Sequence, residues 1–442
     1  KQPDPTIVQI MREVSPQHVQ QTIVKLAGFY TRHTLSVNNP DAATSERGAI
    51  AARTWIKSEF ERYSAACGGC LEVKTDTFTE QPTGARSRIP VPTELQNVYA
   101  ILHGTDPEQT KRIYLVTGHY DSRNTDPLNS TNEAPGANDD GSGTAVSLEC
   151  ARVMSKHKFA ATIIFLTVVG EEQGLNGSAH FAKMAKAEGW QLEGVLNNDI
   201  VGGNRTPGDT LQNNNWVRVF SEGIPIAATE ADLRRIRSVG GENDSTSRQL
   251  ARYIREVAGA YNFGQFTPKL IFRRDRYLRG GDHTSFNQQG FAAVRFTEYR
   301  EDYNHQHQNV RTENGIEYGD LPKFVDVGYV ANVARLNAAT LASLASAPAP
   351  PGKVRLLTKA LENDSKLEWD AASGATAYEV VWRRTTDGEF PEENVTRVMV
   401  TKADLNQSKD NVIFGVRSID AKGHRSLVVI PEPERAPTAA PE

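Results

Sequence analysis

The sequence predicts an α/β fold, a mainly parallel central sheet sandwiched by helices, followed by a smaller all-β unit. Three observations predict it. Apolar strand-like runs alternate with helical patterns as far as about residue 297, the order that builds parallel strands covered on both faces. Several of those runs end in a histidine or an acid. Beyond residue 345 the texture changes to short alternating strands separated by turn residues.

Taken in order, residues 17 to 34 and 47 to 63 carry apolar side chains at helical spacing, as in Ile50, Ala51, Trp55, Ile56 and Phe60, and read as core-facing helices. Alternation follows. Leu71 to Phe78 and Asn97 to His103 read as strands, and the run at 113 to 117 is a third. The stretch from Ser122 to Gly136 contains Pro127, Asn129, Asn132 and Pro135, so its backbone is turn-rich. It joins two chemically loaded segments and is expected to shape a site. A helix from about Ser142 to His157, strands ending near Gly170 and Asn198, and a last amphipathic helix over 324 to 344 complete the unit.

Composition places the boundaries. A first unit spans 1–345, a Pro/Ala linker 346–352, a second unit 353–432 and a disordered tail 433–442. With Trp369, Tyr378 and Phe414 as its core aromatics, the second unit resembles a fibronectin type III sandwich. It carries no constellation of acids and histidines, so a spacer, docking or substrate-presenting role is expected.

A chain of 442 residues suggests two or three units. Fifty basic against fifty-four acidic residues leave a net charge of -4, which points neither to nucleic acid nor to an anionic membrane surface. No run approaches the roughly 20 apolar residues that span a bilayer. The first residues lack the basic start and apolar core of a signal peptide, and the chain lacks an initiator Met, as a processed mature form would. Of three cysteines, Cys150 falls in an apolar helical pattern, while Cys67 and Cys70 fit a small disulfide loop, free thiols or half of a zinc site.

The chemistry lies in His119, Asp121, Asp139, Glu171, Glu172, Asp199 and His305. His119 and Asp121 close one apolar run, Glu171 and Glu172 a second, and Asp199 a third. Three strands thus deliver imidazole or acids at their C-terminal ends, where open α/β sheets bind ligands. Mixed histidine and carboxylate donors suit zinc, with cobalt or manganese as possible substitutes.

Six blocks carry a family resemblance: Gly118-His-Tyr-Asp121, Pro135 to Ala145, Gly170 to Ser178, Asn198 to Gly202, Gly281 to Phe286, and His305. In this order they resemble the zinc exopeptidase family of secreted bacterial leucine aminopeptidases, to which glutamate carboxypeptidases also belong. The resemblance covers about residues 20 to 345. It implies two zinc ions per chain, one held by His119, Asp139 and Asp199 and the other by Asp139, Glu172 and His305, with Asp139 bridging. It implies Glu171 as general base. Asp121, two residues after His119 on the same strand, would orient its ring. His307 is the alternate to His305, and His283 is expected to make a substrate-side or structural hydrogen bond.

One departure concerns the position before the last histidine. The family's simplest aminopeptidases have an oxyanion-donating Tyr there; this chain has Asn304, with Tyr303 one residue back and Tyr299 nearby. Asn304 could donate through its amide. The expected activity is removal of N-terminal residues from peptides or proteins, outside the cytoplasm, in a secreted or periplasmic enzyme. A carboxypeptidase is the alternative, with Arg273, Arg274, Arg276 and Arg279 as carboxylate-holding candidates or as a salt-bridged strand edge. An inactive receptor relative is disfavoured because all proposed ligands are present, and a one-zinc cyclase because the two-metal set would be superfluous.

Overall fold

The computed structural model describes residues 3–39, 46–203, 206, 208–261 and 265–434. Helices α1 (Pro5–Glu13), α2 (Pro16–Ala27) and α3 (Gly48–Ala66) open the chain. Asp4 and Ser15 cap the first two through side-chain oxygens, and each helix has Pro at its first position, where the missing N–H costs nothing. The expected helix over 17 to 34 stops at Ala27. Gly28 follows, and the chain enters a 3-10 turn over Thr34–Asn38.

Strands β1 (Glu72–Glu80), β2 (Thr93–Leu102) and β3 (Arg112–His119) lead to α4 (Gly141–Met154), β4 (Thr162–Val168), α5 (Glu171–Gly174), α6 (Asn176–Ala187) and β5 (Gln191–Asn198). Next come β6 (Trp216–Ser221), α7 (Glu230–Val239), α8 (Thr246–Tyr261), β7 (Thr267–Ile271), α9 (Asp282–Gln288) and β8 (Ala293–Glu298). A small hairpin, β9 (Arg311–Glu313) with β10 (Ile316–Tyr318), precedes α10 (Val327–Ser346).

Eight strands form one sheet in the order β1-β2-β4-β3-β5-β8-β6-β7. The central neighbours β4, β3, β5 and β8 are parallel, and the antiparallel pairs lie toward the edges. Period-two alternation sends Tyr114 and Val116 to one face, against α4, α8 and α10, while Leu115 packs on the other with Phe181 of α6 and Phe286 of α9. Both faces are therefore covered, and β4 is buried along its whole length. The last helix is buried on nearly every side rather than along one stripe.

The chain then builds β11 (Gly352–Leu356), β12 (Ser365–Asp370), β13 (Ala377–Arg384), β14 (Val395–Val398), β15 (Lys402–Leu405), β16 (Val412–Ile419) and β17 (Glu432–Pro433). They make a four-stranded sheet, β15-β12-β11-β17, and a three-stranded one, β14-β13-β16. Trp369, Tyr378 and Phe414 share their core, with Trp369 and Tyr378 edge to face at 5.4 Å. The expected tail at 433–442 begins too early: Pro433 pairs in parallel with Leu356, and residues 435–442 lie outside the described residues.

The Pro/Ala segment is no free tether. Pro348 and Pro351 are buried, and the β sheets dock on α8 through buried and half-buried charges. Glu256 accepts from Arg417 at 2.7 Å and from Arg425 at 2.6 Å, and Glu379 accepts from the same two residues at 2.8 and 3.2 Å. Arg383 pairs with Asp244 just before α8. Arg417 and Glu379 have side chains only 9% and 7% exposed, so removing the Glu379 carboxylate leaves two arginines to share Glu256. Glu379→Ala is expected to lower unfolding stability by about 3 kcal/mol in a denaturant titration; a change under about 0.5 kcal/mol would contradict a stabilising role for this charge network.

Candidate metal centre

Close packing at the end of β3 begins with two glycines. A Cβ on Gly118 would sit 2.4 Å from the Gly143 carbonyl carbon, and one on Gly143 would sit 2.0 Å from the Asn198 carbonyl oxygen. Only glycines let the first turn of α4 press against the ends of β3 and β5. Asp140 completes the junction. Its carboxylate caps α4 by accepting from Gly143 N–H at 3.0 Å and also accepts from His119 N–H at 3.0 Å and Ile200 N–H at 3.2 Å. Asp140 thus knits three segments of the site.

Around this junction the C-terminal ends of β3, β4 and β5 bring together most of the expected group. His119 Nε2 lies 3.1 Å from Asp139 Oδ1, 3.6 Å from Asp199 Oδ1 and 3.8 Å from Glu171 Oε2. On its other side, His119 Nδ1 is 3.2 Å from Asp121 Oδ1 and 3.1 Å from the Asp121 carbonyl oxygen. The Asp121 carboxylate also accepts from Thr34 Oγ1 and from the backbone N–H groups of Glu171 and Glu172. One buried acid thus orients both the imidazole and the turn bearing the paired glutamates.

The structure sets a different histidine from the expected one beside the other candidates. His307 Nε2, not His305, lies 2.8 Å from Asp139 Oδ2 and 2.9 Å from Glu172 Oε1. His305 instead stacks on Phe324 at 3.8 Å between ring centroids, with Nδ1 3.6 Å from Asp302. Two residues along an irregular loop need not share a face, and His307 reaches the site through a left-handed backbone at φ 58°. Such conformations cost about 1–3 kcal/mol in a residue other than Gly and persist where surrounding structure enforces them. Ile200, directly after Asp199, is another such residue, at φ 60°.

The residue before His307 is Gln306, which is buried and donates from Nε2 to Glu301 Oε1 at 3.3 Å. Asn304 and Tyr303 lie on the exposed side of the loop, Tyr303 at 61% exposure. His283 is fully buried rather than substrate-facing: its Nε2 lies 2.8 Å from the Arg274 carbonyl oxygen, and burial pushes its pKa down to about 4. Of the four candidate arginines, Arg276 pairs with Glu301 at 2.6 Å and Arg279 lies 3.7 Å from the same carboxylate. Arg273 stacks over the Tyr277 ring.

Among the described residues, three groups of side chains have donor atoms close enough for a shared cation: His119, Glu171 and Glu172; His119, Asp139 and Asp199; and Asp139, Glu172 and His307. Burial pushes the Glu171 carboxyl well above the usual range, and the charges of Asp199, Glu172 and Asp282 add to the rise against the pull of His119. Asp139 goes the other way. Burial opposes its ionisation, but His307 and His119 hold it well below the usual range. His119 Nε2 and Asp199 Oδ1 are buried without a hydrogen bond. Clustered carboxylates, two imidazoles and orphaned donor atoms fit divalent zinc, which takes nitrogen and oxygen ligands.

Several supporting residues were invisible to sequence reasoning. Arg32 is fully buried and donates to the carbonyls of Leu26, Tyr120, Pro135 and Gly136, fastening the irregular stretch after β3. Asp320 accepts from Asn138 and Asp139 N–H at 2.8 and 2.7 Å, fixing the backbone of the central carboxylate. Arg295 Nη1 lies 2.8 Å from Asp199 Oδ2. No local motif marks them.

Comparison with known proteins adds an independent line. The sequence profile of the family described as peptidase family M28 matches residues 97–327. A "Probable zinc metalloprotease" of Pyrenophora tritici-repentis is 44% identical across 98% of this chain and 88% of its own length. One of the same name from Pyricularia oryzae is 45% identical across 98% of this chain and 85% of its own. Among solved structures, LapB from Legionella pneumophila aligns with a TM-score of 0.54 and 17% identity, over 77% of this chain and 75% of that one. LapA aminopeptidase of the same bacterium gives 0.52 and 20%, over 77% and 74%. At these identities the structural likenesses establish the fold.

Proposed function

This chain belongs to peptidase family M28 and is a hydrolase, and we propose that it is a two-zinc exopeptidase releasing N-terminal residues from peptides. One observation carries the reading. The two oxygens of Asp139 face different imidazoles, His119 at 3.1 Å and His307 at 2.8 Å, the arrangement a bridging carboxylate needs. His119 and Asp199 would then complete one site, and Glu172 and His307 the other.

Bound zinc would supply Lewis acidity to the scissile carbonyl and to the attacking water. Glu171 would take the proton of that water and return it to the leaving amine, from a carboxylate whose Oε2 lies 3.8 Å from His119 Nε2 beside the ligand candidates. Asp121 would hold His119 in one tautomer and fix the turn that aims Glu171. The amino-terminal end is preferred because Arg276 and Arg279 are already engaged with Glu301 and are poorly placed to clamp a substrate carboxylate.

The paired three- and four-stranded C-terminal sheets support a fibronectin type III-like unit beyond a linker at 346–352. No helix among the described residues is long and apolar enough to cross a membrane. The bonded sulfurs of Cys67 and Cys70 favour an oxidising, extracytoplasmic compartment.

The test follows an unblocked ten-residue peptide by mass spectrometry during incubation with zinc-loaded protein. Stepwise shortening from the N-terminus is expected. Shortening from the C-terminus would replace the aminopeptidase with a carboxypeptidase, and an intact peptide would overturn the exopeptidase reading.

A further inference from the structure

A buried chain of charges runs from Asp199 to the loop that carries His307. Arg295 Nη1 lies 2.8 Å from Asp199 Oδ2 and 3.5 Å from Asp275 Oδ2. Asp275 Oδ1 accepts from the backbone N–H of Arg276 at 2.6 Å and from its Nε at 3.1 Å. Arg276 Nη1 in turn donates to Glu301 Oε1 at 2.6 Å. Two more donors reach Glu301: Arg218 Nη2 at 2.9 Å and Gln306 Nε2 at 3.3 Å. Gln306 directly precedes His307.

The side chains of Arg295 and Asp275 are fully buried, and Glu301 and Arg276 are 2% and 9% exposed. Three arginines (218, 276, 295) face three acids (199, 275, 301), the balance that burial of ions requires. Stability alone is a weak reason for such a network, since well-packed apolar residues often serve as well. Its ends are informative. One touches a ligand candidate of the first metal, and the other touches the residue next to a ligand candidate of the second.

We propose that Glu301 is a positioning residue that clamps the 301–307 loop, so that His307 is held toward Asp139 and Glu172. The inference rests on the two-zinc reading above. Between β8 and β9 this loop has no strand partners, and Tyr303 and Asn304 face solvent. The Glu301 carboxylate therefore supplies a restraint that regular structure does not. Gathering Arg218, Arg276 and Gln306 on one carboxylate draws the loop onto the sheet and presents the next side chain inward.

The test uses the full-length chain with two variants, Glu301→Gln and Gln306→Leu, and measures zinc retained per chain against a graded chelator. Wild type should hold two zinc ions. In Glu301→Gln one of them should be lost at a chelator strength about 10–100-fold lower, the usual cost of removing an outer hydrogen-bond partner, while the other is held as in wild type. Gln306→Leu keeps every charge and should give a smaller selective loss, which decides the matter if Glu301→Gln does not fold. Unchanged retention of both ions in Gln306→Leu, or equal weakening of both, would overturn the positioning role. Fewer than two ions in wild type would instead overturn the two-zinc reading, and this inference with it.

Discussion

Glu171→Gln is expected to keep its zinc and to lose activity by about 10²–10⁴-fold in kcat, the range supplied by a positioned general base. The substitution preserves size and changes only the ability to take a proton. The turn that carries residue 171 is held by the Asp121 carboxylate through the backbone N–H groups of Glu171 and Glu172, which the change leaves intact. Kinetics on a peptide substrate, with metal content measured on the same sample, checks it. A near-normal rate at full metal content would remove Glu171 from proton transfer.

His307→Ala and His305→Ala should behave oppositely. Removing the His307 imidazole takes away the nitrogen 2.8 Å from Asp139 and 2.9 Å from Glu172, so one zinc ion should be lost and activity should fall by at least about 100-fold. His305→Ala removes a ring stacked on Phe324, costing about 1 kcal/mol of stability while both metals stay. Zinc content of the two purified variants separates the assignments. Loss from the His305 variant alone would restore the expectation drawn from sequence order.

The contrast between these histidines marks where sequence reasoning stopped. The gathering of His119, Asp139, Glu171, Glu172 and Asp199 at one place was legible because regular strands deliver most of them, and strand periodicity and C-terminal placement are local properties of the chain. Asp121 was expected on the same strand as His119, but β3 ends at His119, and the loop that follows still brings the Asp121 carboxylate within 3.2 Å of His119 Nδ1. The choice between His305 and His307 depends on a loop whose path is set by contacts at Glu301 and by a left-handed residue, neither of which leaves a periodic signal. The candidacy of Asn304 followed from its place before His305, and the loop leaves it exposed.

Buried polar supports were the other blind spot. Arg32, Asp320 and Arg295 each act across long sequence separations, Arg32 on a carbonyl 104 residues away and Asp320 on an N–H 181 residues away. A lone Arg or Asp in a sequence reads as a surface charge. The fold class was legible throughout, from the alternation of elements and the linker composition. The packing of the second unit on α8 was not, because it depends on Glu256, Glu379, Arg417 and Arg425, which look like ordinary surface charges until they meet.

The most direct test of the central claim is an anomalous scattering map at the zinc edge from crystals of the zinc-loaded protein. The account predicts two peaks a few ångströms apart, one beside His119 and Asp199 and the other beside Glu172 and His307, with Asp139 between them. A single peak, or a second peak at His305, would contradict it.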